Sequence, residues 1–176
     1  MRHSKRLRLT CCLFVVCGVY PGIAAAGGGS ECPGMSEKVM ALRKTPVFQA
    51  LNEAQLGKVA AISEVVVFPG GSRIIEQGSR TRKMAVVLDS DVRIQIDGEC
   101  VTILPARSLV GEIEFLEDVP ATADVVLLDR SRVLLMDHAG LLSVMDADTD
   151  LGYRLMREIA RMEAHRLRGM AQREPR

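Results

Sequence analysis

The sequence predicts a mainly β fold, a β-roll or jelly-roll with helices on its N-terminal side and a long helix at its C-terminal end. Short β-branched runs follow one another from about residue 63 to 136 with turn residues between them, while helical periodicity is confined to the flanks. A chain of 176 residues with 48 % apolar content is long enough to bury a core of its own. These observations place one domain over residues 36–170, with its roll at about 63–136, its C-terminal helices at 137–170 and a solvated tail at 171–176.

Residues 1–26 read as a secretory signal peptide. Arg2, Lys5, Arg6 and Arg8 precede an apolar stretch from Leu9 to Ile23, and Ala24-Ala25-Ala26 offers small residues for cleavage before Gly27. The expected location is therefore outside the cytoplasm, periplasmic or secreted. A cytoplasmic protein starting at Met35 and an uncleaved anchor are the alternatives. Cys11, Cys12 and Cys17 fall inside the leader, and Val15-Val16 ahead of Cys17 suits a lipoprotein cleavage site poorly. Cys32 and Cys100 remain as an even pair, able to form one disulfide in an oxidising compartment or to stay as two thiols.

Residues 27–35 form a small-residue spacer. Ser36 then caps a short helix to Arg43, Pro46 ends it, and Phe48 and Leu51 are expected to plug the base of the roll. Asn52 is the N-cap of a helix over residues 53–62 that carries Leu56, Val59 and Ala60 on one face. Strands are expected at 65–68, 72–75, 84–88, 92–96, 101–104, 123–128 and 132–136. Asp97-Gly98 inside RIQIDGECVTI is a hairpin signal, because both residues tolerate positive φ. A short helix over 137–145 and a loop at 146–150 lead to the last helix, from Leu151 to about Met170.

In that helix Leu155, Ile159 and Met162 recur at helical spacing, and Arg166 continues the stripe. The stripe packs on the roll, and it also offers a homodimer seam. The tail ends in QREPR with no helix-turn-helix after it, so a reader of DNA is not expected. Charge agrees. Of 23 basic residues four lie in the leader, leaving 19 against 22 acidic ones, a net −3 on the rest. With 3 % aromatics and no Trp, the chain lacks a stacking platform for nucleic acid.

No catalytic group stands out. His3, His138 and His165 are far apart, so no metal cluster is expected, and no serine sits in a nucleophile elbow. DADTDLGYRLMRE lacks the glycine and terminal Glu of a calcium loop. The reading is a non-enzyme without a resident cofactor.

The stretch 110–125, VGEIEFLEDVPATADV, carries the ligand chemistry. Gly111 lets the backbone approach closely, and the N–H groups of the next turn are free to face a ligand. Together with PVFQALNEAQL (46–56), VVVFPGGSRIIEQGS (65–79), MAVVLDSDVRI (84–94) and RVLLMD (132–137), it resembles the cyclic nucleotide-binding domain, the β-roll of the catabolite activator protein and of kinase regulatory subunits. The resemblance covers residues 46–170 and makes 111–126 the phosphate-binding cassette. It implies that Gly111, Glu112, Ile113, Ala121, Thr122 and Ala123 face the ligand, with Glu112 on a ribose hydroxyl and backbone N–H groups on the cyclic phosphate.

The cassette departs from the family pattern at Ala121, where an Arg ordinarily follows the Pro. Between Arg107 and Arg130 there is no Lys or Arg, whereas Glu112, Glu114, Glu117 and Asp118 all lie there. Loss of a buried charge-assisted partner costs about 2–5 kcal/mol, roughly 30-fold to several thousand-fold in affinity. Ser90 and Arg107 replace turn glycines of the family, and Arg107 is the one nearby candidate for a substitute cation. The expectation is a stand-alone regulatory or sensor domain whose cyclic nucleotide binding is weak or lost. The alternative is a degenerate domain serving as a dimeric interaction scaffold for an unknown protein partner. N-terminal sequencing of the native protein checks export: Gly27 is the expected first residue, and Met35 or Ser36 would sink it.

Overall fold

The computed structural model describes residues 33–171. The proposed leader, Cys32 and the tail from residue 172 lie outside the described residues. In chain order the elements are α1 (Pro33–Arg43), a 3₁₀ turn (Pro46–Phe48), α2 (Glu53–Ala61), β1 (Ser63–Phe68), β2 (Arg73–Ile75), β3 (Lys83–Val87), β4 (Val92–Ile96), β5 (Glu99–Leu104), β6 (Leu109–Val110), α3 (Glu112–Glu117), β7 (Asp124–Leu127), β8 (Ser131–Asp137), α4 (His138–Ala147) and α5 (Thr149–Ala171). The strands form two antiparallel sheets, β1-β8-β3-β6 and β2-β7-β4-β5, packed as a jelly-roll with helices outside the first.

Alternation along β3 explains the layering. Met84 and Val86 point to the helices, while Ala85 and Val87 point to the other sheet. β8 divides in the same way, Leu134 and Met136 on one side and Val133 on the other. The helix-side core takes Phe48, Leu42, Leu141, Leu151 and Leu155; the core between the sheets takes Ile75, Val92, Val125 and Leu127. Strands buried on both faces are continuously apolar, as MAVVL is.

Local signals set most element ends. The Asn52 side chain accepts from the Gln55 N–H at 2.9 Å, and Gln55 Oε1 accepts from the Asn52 N–H at 3.1 Å, a reciprocal capping box. Asp97 and Gly98 both take positive φ in the β4–β5 hairpin. Arg132 on β8 binds Asp89 through Nη2 at 2.7 Å and Glu37 of α1 through Nη1 at 2.7 Å, tying the first helix to the roll. The Arg132 guanidinium beside Asp89 lowers that carboxyl to about 2.

Three expectations are corrected. α1 starts at Pro33 rather than Ser36, because a proline's fixed φ suits the first helical position, so the spacer is shorter at its C-terminal end. α4 continues to Ala147, and the expected 146–150 loop shrinks to Asp148, whose Oδ1 caps α5 by accepting the Leu151 N–H at 3.0 Å. The seam of Leu155, Ile159 and Met162 is taken up inside the domain: Leu155 and Ile159 are fully buried in the helix-side core and Met162 packs against it. A dimer through α5 would have to use another face of that helix.

Gly111 links β6 to α3 with φ +83°. A Cβ there would lie 2.6 Å from the carbonyl oxygen of Lys83 and 3.2 Å from Ile75 Cδ1. Gly111→Ala therefore combines a left-handed backbone with a clash against a strand. We expect it to cost about 2 kcal/mol or more in urea unfolding. A loss within about 0.5 kcal/mol would mean that this approach is not a constraint.

Candidate functional site

The site grows from the turn at Gly111. A positive φ sends the chain from β6 into α3, so the first helical side chain, Glu112, points inward and only 4 % of the residue is exposed. Its Oε1 accepts from Nη1 of Arg166, an ion pair reaching across 54 residues from α5. Arg166 also donates to Glu163 Oε1 at 2.8 Å and, through Nη2, to the Leu109 carbonyl at 2.8 Å. Glu112 Oε2 is buried and has no hydrogen-bond partner among the described residues. Burial pushes this carboxyl up to about 7, against the opposing pull of Arg166.

Above this pair lies a cavity of about 670 Å³, a size typical of small-molecule sites. Its walls are aliphatic, with Ile75, Ile94, Val110 and Val125 from the roll. Ile103 on edge strand β5 and Leu167 and Met170 on α5 complete it, all three largely exposed. Its charged lining is Glu112, Glu114 and Glu163 with Arg166, and His165 stands beside them. The last turns of α5 thus form one wall, and the Glu112–Arg166 pair fixes them to the cassette.

Five of the six expected cassette residues, Gly111, Glu112, Ile113, Thr122 and Ala123, line the cavity. Ala121 does not. It is 3 % exposed and packs in the core between the sheets. Its N–H donates to Ser79 O at 2.8 Å and its carbonyl accepts from the Gly78 N–H at 2.7 Å, so it clasps the cassette to the β2–β3 loop. Arg107 is also absent from the lining. It turns at φ +68°, and its N–H donates to Val87 O at 2.6 Å. The candidate replacement cation is thus held elsewhere, and the cation that reaches Glu112 is Arg166. Sequence reasoning put Arg166 on the α5 stripe without linking it to Glu112; its one local sign was an acid three residues earlier.

Cys100 is exposed on β5, and its suggested partner Cys32 is outside the described residues. Among the described residues no group of three or more His, Cys, Asp or Glu side chains is arranged to hold a metal ion. No described helix is long and apolar enough to cross a membrane.

The raised Glu112 carboxyl fixes a pH dependence. Because its folded value of about 7 lies above the ordinary 4.5, the folded state holds a proton that the unfolded state has released. The associated stability is full at low pH and is lost as pH rises through the folded value. We expect Glu112→Gln, which cannot ionise, to gain on the wild type between those two limits by on the order of 2 kcal/mol. Melting temperatures of both proteins across that range check it, and parallel curves would refute it.

Comparison with known proteins agrees with this architecture. Residues 65–148 match the family model described as the cyclic nucleotide-binding domain. No curated protein matches the sequence significantly. Among solved structures, the chain is similar to a cyclic nucleotide-binding domain from Methylobacillus flagellatus, with 14 % identity, 79 % of this chain and 81 % of that one covered, and a TM-score of 0.70. It is also similar to a protein from Geobacter metallireducens named for cyclic nucleotide binding, with 25 % identity, 72 % and 95 % covered, and a TM-score of 0.65. A third similar structure is the regulatory subunit of a cAMP-independent protein kinase A from Trypanosoma cruzi bound to guanosine, with 22 % identity, 68 % and 44 % covered, and a TM-score of 0.58. Residues 65–148 are thus similar to the cyclic nucleotide-binding domain family, and the chain has the fold of such domains.

Proposed function

We propose that this domain is a regulatory, non-catalytic ligand sensor whose cavity has lost tight binding of cyclic nucleotides. The charge of the cassette end of the cavity carries the reading. A cyclic phosphate there would meet Glu112, Glu114 and Glu163, and the nearby guanidinium of Arg166 is already engaged by three acceptors. Freeing Arg166 for a phosphate would give up its hydrogen bonds to Glu112, Glu163 and the Leu109 carbonyl and drive the buried Glu112 carboxyl to take up a proton. Ala121, facing the core, brings no charge. That a related kinase regulatory subunit is cAMP-independent and holds guanosine supports the idea that this fold can take a ligand without a phosphate.

The regulatory output in this proposal is the position of α5. Its C-terminal turns line the cavity while Leu155 and Ile159 anchor its first half in the core, so occupancy is felt at the end of the helix. Export behind a cleaved leader belongs to the same proposal, because an extracytoplasmic domain has little use for a cytoplasmic second messenger.

Calorimetric titration with cyclic AMP and cyclic GMP tests the reading. We expect no saturable binding at about micromolar ligand. Thr122→Arg puts a cation on an exposed position of the lining and is expected to raise cyclic nucleotide affinity about tenfold or more. Micromolar binding by the wild type would overturn the reading.

A further inference from the structure

The cavity beside α5 is aliphatic from its floor to its mouth. Ile75, Val110 and Val125 are buried at the floor. Ile96 and Ile103 on the β4–β5 hairpin and Leu167 and Met170 on α5 form two rims, each residue between 41 % and 65 % exposed. Among the described residues no Phe, Tyr or Trp lines the space, so a planar ring finds nothing to stack on. The polar groups of the wall answer one another. Arg166 holds Glu112 and Glu163, and Glu114 Oε1 accepts the Thr122 N–H at 3.2 Å. A ligand charge of either sign would leave water to meet counter-charges already committed, and an anion would also face three carboxylates. A protein partner seated on the rims would leave the floor unfilled. An aliphatic space of about 670 Å³ is one that a small apolar molecule fills.

We propose that the cavity binds a free, uncharged aliphatic molecule, a hydrocarbon chain with no more than a hydroxyl-type head. The proposal rests on the reading of this cavity as a ligand site without tight affinity for a cyclic phosphate. Its driving force is the removal of the rim residues and of the ligand's own hydrocarbon from water. Affinity therefore grows with chain length rather than with a polar contact. Thr102 and Thr122 in the lining can exchange hydrogen bonds with a hydroxyl head. Seated there, the ligand touches the β4–β5 hairpin on one side and the last turns of α5 on the other, and it joins them without disturbing the Glu112–Arg166 pair.

The test is calorimetric titration of the full chain at neutral pH with n-hexanol, n-heptanol and n-octanol, beside octanoate and n-octylamine. One saturable site is expected, tightening about fourfold with each added methylene, with octanoate and octylamine at least about tenfold weaker than octanol. Ala123→Trp fills part of the cavity and should weaken octanol about tenfold or more, its melting curve showing that it is folded. Leu167→Lys, at a 65 % exposed helix position, puts a charge on the rim without touching the core and should do the same. Flat affinity along the series, a charged ligand as tight as octanol, octanol binding unchanged in either folded variant, or no octanol binding would overturn the proposal. A wild type that takes up no alcohol and sediments as a dimer would assign the cavity to a second copy, overturning it too. Silence toward octanol and cyclic AMP alike removes the aliphatic assignment alone, whereas micromolar binding of cyclic AMP removes the underlying reading as well.

Discussion

The ion pair between Glu112 and Arg166 is the interaction on which the functional half of the molecule depends. Gly111 makes it necessary, because its left-handed turn aims the next carboxylate into the protein instead of toward water. A carboxylate so placed needs a cation or a proton. The cation comes from the far end of the chain, and in reaching Glu112, Arg166 draws the last turns of α5 across the mouth of the roll. Leu167 and Met170 follow it into the lining. One buried charge thereby turns an open sheet face into a cavity.

The architecture behind the pair is asymmetric. Strands β3 and β8 belong to two cores at once, one face on the helices and the other on the second sheet. α5 is rooted in the first of these cores by Leu151, Leu155 and Ile159, yet its end belongs to the cavity beside the second. A helix with one half packed and the other half held by a few polar contacts is suited to reporting on what lies beneath it. The raised carboxyl of buried Glu112 makes the hold on that helix end sensitive to pH.

Much of the fold was legible because its signals are local. Asn52 and Gln55 make the capping box, Asp97-Gly98 makes the turn, and alternating apolar residues place the strands. Errors fall where local signals weaken. β6 is a two-residue strand recognisable only by its pairing with β3. The acid-rich 146–150 segment reads as a loop, yet Asp148 alone separates the two helices, since a single capping carboxylate suffices. The α5 stripe was periodic but ambiguous, because a face buried against the same chain and a face shared with a second chain have the same spacing.

By itself the sequence determined the jelly-roll and the absence of Lys and Arg between residues 107 and 130, since each is written in neighbouring residues. It also singled out Gly111, whose positive φ and close approach to Lys83 the structure shows. Only the tertiary structure decided which cation answers Glu112, that Ala121 faces the core, and that Arg107 is held elsewhere. Those outcomes turn on side-chain direction and on contacts between residues far apart in the chain. Spacing along a sequence records periodicity within one element, and it carries no measure of the distance between two.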